Sequence, residues 1–419
     1  MHVASIQLSS IVAAVLTAPL FAAGCVAAGF ALYLLLLSVA ALFYRGQVLG
    51  QPPRARLDVL IPAHDESALI ARCVRSLRGQ AYPSELYRVI VVADNCSDDT
   101  AALASDAGAD VVMTRNEPES RGKGHALRWA IDRLLADEVA ADAIVVVDAD
   151  SLAEPDFLAR LVRPFEAGAR AVQGESLLYP GDSKTAALRV SAFLLVNRVR
   201  PMGRAVLGLP ATHLAGNGML IARELLLARP WEAFTSAEDL EYSLRLQSEG
   251  VRIAFAGGAV LMSPAAPNAQ AAAVQQLRWE GGKVYLARTE LPRLLRRALR
   301  ERRPGLLGVA FDLAVPPLGS LAVVAAGGSA LSVLFSALGL MPAWALSPWL
   351  AAIASIPPIV VIGLKAGDAP KAGYLALLRA PLFLLAKPAR MYRVLRFRGD
   401  SWVRTDRDSV SVPHAEDLA

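Results

Sequence analysis

Cysteine is scarce, with Cys25, Cys73 and Cys96 the three in a chain of 419 residues. They form no CxxC pair and join no Cys/His cluster, which argues against a disulfide framework and a zinc site. Charge is also sparse. Asp, Glu, Lys and Arg supply 19% of the residues, where soluble chains carry about 25%. No charged side chain precedes Arg45. Internal repeats are absent, and the Ala-rich stretch 264–274 reads as a loop entering a helix. A Walker A motif is absent as well. The nearest candidate, Arg121-Gly122-Lys123-Gly124-His125, lacks its spacing and its Ser/Thr. These absences leave a chain that is 54% hydrophobic and carries a net charge of +5. Its basic residues are unevenly placed, which points to a membrane surface or an anionic ligand rather than to nucleic acid.

The hydrophobic residues are concentrated in two regions. Residues 11–44 are almost wholly apolar and exceed the roughly 20 residues of a membrane span, leaving one span or two short ones open. A cleaved signal peptide would be shorter and would begin with basic residues. Residues 313–364 carry no charge and suit two spans joined by a turn at Gly339-Leu340-Met341-Pro342, with Trp344 and Trp349 at the interface. Arg45, Arg54 and Arg56 follow the first span. Eight basic and two acidic residues occupy 283–303, and Lys365, Lys371, Arg379, Lys387, Arg390, Arg393, Arg396 and Arg398 follow the last span. The positive-inside rule then places 46–306 and the C-terminus in the cytoplasm of a multi-pass inner-membrane protein. The two basic, Leu-rich stretches 283–303 and 375–398 read as interfacial helices.

Between the apolar regions, short apolar runs alternate with helical patterns. Strands are expected at 57–62, 88–93, 110–114 and 143–147, and helices at 66–78, 98–107 and 123–137. Short continuous apolar strands separated by helices predict an α/β, doubly wound domain. Ligands of such sheets bind at the carboxyl ends of the strands, and the candidate residues fall there. The first strand runs into Pro62-Ala63-His64-Asp65-Glu66. The second ends at Asp94, too early to cap the next helix, a role left to Asp98 or Asp99. The fourth ends in Asp148-Ala149-Asp150, two carboxylates beyond a buried strand, suited to Mg²⁺ or Mn²⁺. Gly122 and Gly124 allow close backbone approach, and Lys123 offers a cation near a helix start. Glu238-Asp239 stands at a further helix start, where Asp239 has the chemistry of a general base. Arg278 of Gln275-Gln276-Leu277-Arg278-Trp279 can fork onto a diphosphate, and Trp279 offers a flat face to a sugar. Gly216-Asn217-Gly218 reads as a turn or a close approach to substrate.

Taken in order, Asp94, Asp148-Ala149-Asp150, Glu238-Asp239 and Gln275-x-x-Arg278-Trp279 resemble family 2 glycosyltransferases. The resemblance spans about 57–279 and is strongest to the membrane-embedded branch of cellulose, hyaluronan and poly-N-acetylglucosamine synthases and ceramide glucosyltransferases. It implies a GT-A fold in which Asp94, beside Pro62, Ala63 and Glu66, meets the nucleotide. Asp148 would lie near ribose and metal, Asp150 would bind metal, and Lys123 matches a lysine of many relatives. Asp239 would be the catalytic base, with Glu238 beside it, and Gln275, Arg278 and Trp279 would hold the diphosphate and the acceptor. It further implies single inverting displacement from a nucleotide-sugar, UDP by preference, giving a β-linked glycan or lipid.

The expected layout is therefore an anchor at 1–45, the GT-A domain at 46–282, a basic interfacial helix at 283–306, two spans at 307–366, and an interfacial segment with a tail at 367–419. Ala237 stands where the family often has Thr. Three spans are fewer than channel-building synthases carry, so single transfer to a lipid, or synthesis with polysaccharide-export partners, fits as well as secretion by the chain alone. A nucleotidyltransferase accounts for the α/β domain and metal but not for the later acidic and Gln-x-x-Arg-Trp motifs. A channel would need polar groups within the spans.

Overall fold

The computed structural model describes residues 2–46, 50–137, 140–179, 186–266 and 268–397. The tail at 398–419, Arg398 included, lies outside them. Eight strands form one sheet: β1 (Leu57–Ala63), β2 (Tyr87–Asp94), β3 (Val111–Arg115), β4 (Ala143–Val146), β5 (Leu152–Ala153), β6 (Ala171–Tyr179), β7 (Met219–Ala222) and β8 (Ile253–Pro264). Their spatial order is β3-β2-β1-β4-β7-β6-β8-β5. The first four pair in parallel, with Leu60 opposite Ile90 and Val146. β7 then pairs antiparallel to β4 and β6, so the sheet is mixed rather than parallel throughout. The chain leaves β1 towards β2 and β3, then returns to β4 on the other side. This switch point lies between the ends of β1 and β4, where open α/β sheets bind ligands.

Both faces of the sheet are buried, as the continuous apolar runs require. Val59, Ile61, Val91 and Val145 pack against α2 (Ile70–Arg78) and α5 (Phe157–Glu166). Leu60, Ile90, Val92 and Val146 pack against α4 (Lys123–Ala136) and α9 (Glu238–Ser248). The short helices α3 (Thr100–Asp106), α6 (Ala186–Leu194), α7 (Arg200–Val206) and α8 (Arg223–Ala228) fill the connections. Asp98, rather than Asp99, serves the start of α3, accepting from the Thr100 amide at 3.0 Å.

Among the described residues, three helical segments are long and apolar enough to cross a membrane: Val15–Ala41, Leu318–Ala337 and Ala343–Ala366. The first belongs to one continuous helix, α1 (His2–Ala41). The others correspond to α12 (Leu318–Ala337) and α13 (Ser347–Ala366), the latter preceded by a 3-10 turn. Trp344 is exposed, whereas Trp349 turns inward among the helices. Its ring is buried, fills the space beside Gly24 and Gly328, and donates to Leu20 O at 3.2 Å. Two glycines facing one indole let α1, α12 and α13 close around it.

The basic stretch at 283–303 belongs to α10 (Ala269–Arg300), a single helix that begins inside the expected catalytic domain, so the boundary at 282/283 falls within a helix. Leu286 and Leu294 pack on α9 and α11 (Gly305–Ala314), leaving Leu295 and Leu299 exposed. Beyond α13 follow α14 (Lys371–Ala376), α15 (Ala380–Leu385) and α16 (Lys387–Leu395). Lys387 does not face headgroups. It is buried, and its ammonium reaches Glu280 Oε1 and Oε2 at 2.6 and 2.8 Å, tying α16 to α10.

Candidate active site

A cavity of about 1060 Å³ opens at the switch point and runs towards the apolar helices. Its wall includes Pro62, Ala63, Glu66, Asp94, Lys123, Asp148, Glu238, Asp239, Gln275, Arg278 and Trp279. Of the residues expected to bind nucleotide, metal, diphosphate or acceptor or to act as base, Asp150 does not reach the wall. It is buried, and its charge, after burial of the thiol itself, helps to push Cys73 well up.

Asp94 reaches the cavity wall from a braced position. It is buried, and its Oδ1 accepts from Arg115 at 2.5 Å and from Asn95 at 2.9 Å. Arg115 is itself buried and also donates to Glu117 at 2.9 Å. The 62–66 loop is held from the second strand: the Glu66 amide donates to Thr100 Oγ1 at 2.8 Å, and Asp65 accepts from the Ser97 amide at 2.7 Å. Asp65, Cys96 and Asp98 place ligand atoms within 4.8 Å of one another. These groups already brace the loop, since Asp98 also accepts from the Ser67 amide at 3.1 Å.

Lys123 opens α4, and its ammonium donates to Asp148 Oδ1 at 2.5 Å and to Gly216 O at 2.6 Å. Burial pulls its pKa down, but Asp148, Glu238 and Asp239 more than offset this and leave it raised. Asn217 accepts from the Asp148 amide at 3.0 Å and donates to Ser151 at 2.9 Å, latching the turn that carries both carboxylates. Gly216 has φ +69°, and a Cβ there would lie 3.0 Å from Asp239 Oδ2 and 3.2 Å from Lys123 Nζ. Gly216-Asn217-Gly218 is therefore the strut that lets the three charged groups converge. Gly124 serves packing instead: a Cβ there would collide with Ala233 O, in the loop before α9.

Asp239 stands in the first turn of α9, with Oδ1 accepting from the Leu240 amide at 2.7 Å. Its carboxyl is raised from 3.8 to about 7, by burial first and the Glu238 charge second, with Lys123 opposing. A carboxylate poised near neutrality can take a proton from a hydroxyl. Gln275, Arg278 and Trp279 share one face of α10 by their spacing of three and four, and Trp279 packs on Phe193 with ring centroids 5.4 Å apart.

The donor set at Asp148 suits a hard divalent cation. Its carboxylate faces the cavity, is partly exposed, and already attracts a cation in the Lys123 ammonium. Sequence reasoning missed Arg115 and Lys283, and it missed the partners of Asn217, because all of these contacts are distant in the chain. Asn217 alone had a signal, its two flanking glycines.

A mixed α/β sheet with acidic groups at its switch point defines a GT-A-type nucleotide-sugar transferase domain. Residues 53–282 match the model of the glycosyltransferase like family 2, and the chain belongs to that family. It is 25% identical over 239 residues to the beta-monoglucosyldiacylglycerol synthase of Synechocystis sp., covering 55% of this chain and 48% of that one. It is 30% identical over 112 residues to a low-salt glycan biosynthesis hexosyltransferase of Haloferax volcanii, covering 27% of this chain and 25% of that one. The chain thus spans half or less of the length of these relatives. Among solved structures, the mannosyltransferase PcManGT from Pyrobaculum calidifontis, in complex with GDP-Man and Mn²⁺, superposes with a TM-score of 0.52. It is 20% identical, with 92% of this chain and 95% of that one covered, and it shares the fold.

Proposed function

We propose that this protein is a metal-dependent, inverting glycosyltransferase that transfers a sugar from a nucleotide-sugar, by preference UDP-linked, to a hydroxyl of a lipid or glycan at the membrane. Asp239 carries this reading. Its pKa lies near neutrality, and it stands against the Lys123–Asp148 pair in the same cavity. The acceptor hydroxyl attacks the anomeric carbon, its proton passes to Asp239, and the bond from that carbon to the nucleotide diphosphate breaks. A single displacement inverts configuration and gives a β-linked product from an α-linked donor. Arg278 offsets charge on the leaving diphosphate. Asp148, with Asp150, would hold Mg²⁺ or Mn²⁺, which supplies further charge for that group. The basic residues flanking the apolar helices support a cytoplasmic active site.

A lipid acceptor is favoured over a soluble glycan because the cavity continues from Asp239 into an apolar wall formed by Leu34, Leu37, Leu313, Leu318 and Ile359. The test is nucleotide diphosphate release from a panel of nucleotide-sugars, with Mn²⁺ and membrane lipid extract. Release from one donor, absent in Asp239→Asn, is expected. Equal release by the Asp239→Asn protein would overturn the assignment.

A further inference from the structure

The stretch of cavity wall between Asp239 and the apolar helices carries an unbalanced cluster of cations. Arg200 and Arg204 of α7 both donate to Asp312 Oδ1, at 2.6 and 3.0 Å, and Tyr33 of α1 donates to the same oxygen at 2.9 Å. Lys283 of α10 stands near them and donates to Val315 O at 2.7 Å. Arg200 and Arg204 therefore share one carboxylate, and Lys283 adds a third basic group within reach of its field. The other acid nearby, Glu280, is matched by Lys387. Arg200, His213, Lys283 and Asp312 all reach the cavity wall. Arg200 is nine-tenths buried, and its Nε has no partner.

Buried cations without counter-charge are costly, and the excess is felt locally. Burial first, then Arg200, pulls the Lys283 ammonium down to about 7. Burial, then Lys283 and Arg200, holds His213 down to about 4. The cluster sits beside the catalytic helix, because Gly282 packs on Ala237, with a would-be Cβ 2.8 Å from the Ala237 Cβ.

We infer that Arg200 and Lys283 form a subsite for the phosphate of a membrane lipid whose hydroxyl is presented to Asp239. The inference rests on the transferase reading above and narrows its acceptor to an anionic lipid. A phosphate could also come from the donor diphosphate. The cluster, however, is built by α1, α7, α10 and α11, not by the strand ends where Asp148 lies.

The test needs no turnover. Short-chain phosphatidylglycerol, short-chain diacylglycerol and UDP are titrated separately into the detergent-purified full chain, following Trp fluorescence. Phosphatidylglycerol should bind more tightly than diacylglycerol. Lys283→Met should weaken it by about tenfold, the scale of one charged hydrogen bond, and leave UDP unchanged, while Lys283→Arg restores binding. Equal affinity for the two lipids in the unaltered protein would overturn the subsite, even if Lys283→Met fails to fold. Loss of UDP rather than lipid affinity would assign the cluster to the donor and also overturn it. Asp239→Asn should keep lipid binding, so a failed transferase assignment and a failed subsite give different results.

Discussion

As the proposed base, Asp239 would couple catalysis to stability. Its carboxyl sits at about 7 in the fold against an ordinary 3.8, so the folded chain holds that proton more tightly than the unfolded chain does. Its contribution to stability therefore falls as pH rises from about 4 to about 7 and stays lowered above that. Asp239→Asn should abolish transfer while keeping donor affinity, and at pH 8 it should melt later, by about 2–4 °C for each kcal/mol released. In the unaltered protein, kcat/KM should fall tenfold per unit below about pH 7, because only the ionised base accepts a proton. A flat profile from pH 5 to 8 would remove Asp239 from that role. Gly216→Ala tests the strut. A non-glycine residue at φ +69° costs about 1–2 kcal/mol, and its Cβ presses on Asp239 and Lys123. A lower melting temperature with activity reduced at least tenfold is expected, and unchanged kcat with only the melting shift would confine Gly216 to folding.

Among the elements, the first four strands and their helices were legible because each strand is a short apolar run bounded by its own local breaks, with β1, β2 and β4 buried on both faces and β3 half-buried at the sheet edge. The direction of β7 was not, since Met219–Ala222 is as apolar as a parallel strand and pairing direction leaves no mark on composition. The order of site motifs was legible, but their partners were not. The Asp94–Arg115 and Lys123–Asp148 pairs join residues 21 and 25 positions apart, and the cations around Asp312 come from α7 and α10. The inward turn of Lys387 was not legible, because composition cannot separate a lysine facing headgroups from one buried against a carboxylate. Lys387→Met tests this at the α10–α16 contact. It leaves Glu280 without its buried counter-charge and should cost about 3 kcal/mol. Adding Glu280→Gln should restore much of the loss in thermal melting. A single variant as stable as the parent would make the pair incidental.

For the whole molecule, orientation is open to a direct test. Leu338 and Leu299 are both well exposed and lie on opposite sides of the bilayer in the proposed topology. Leu338→Cys should react with a membrane-impermeant maleimide in intact cells, and Leu299→Cys only after permeabilisation. The reverse pattern would invert the topology. Removing divalent ions with EDTA should abolish transfer, and Mg²⁺ or Mn²⁺ should restore it. Full activity in EDTA would detach Asp148 and Asp150 from metal binding. The first apolar helix is more than a tether. The backbone of α7 lies directly on it at Leu37, where Gly203 leaves no room for a Cβ, and Leu34, Leu37 and Ser38 wall the cavity itself. If the acceptor is the proposed lipid, it arrives along that wall in two dimensions, so its supply is a surface density set by lipid composition, and diluting the membranes in buffer would leave the rate per enzyme unchanged while diluting the acceptor with inert lipid would lower it.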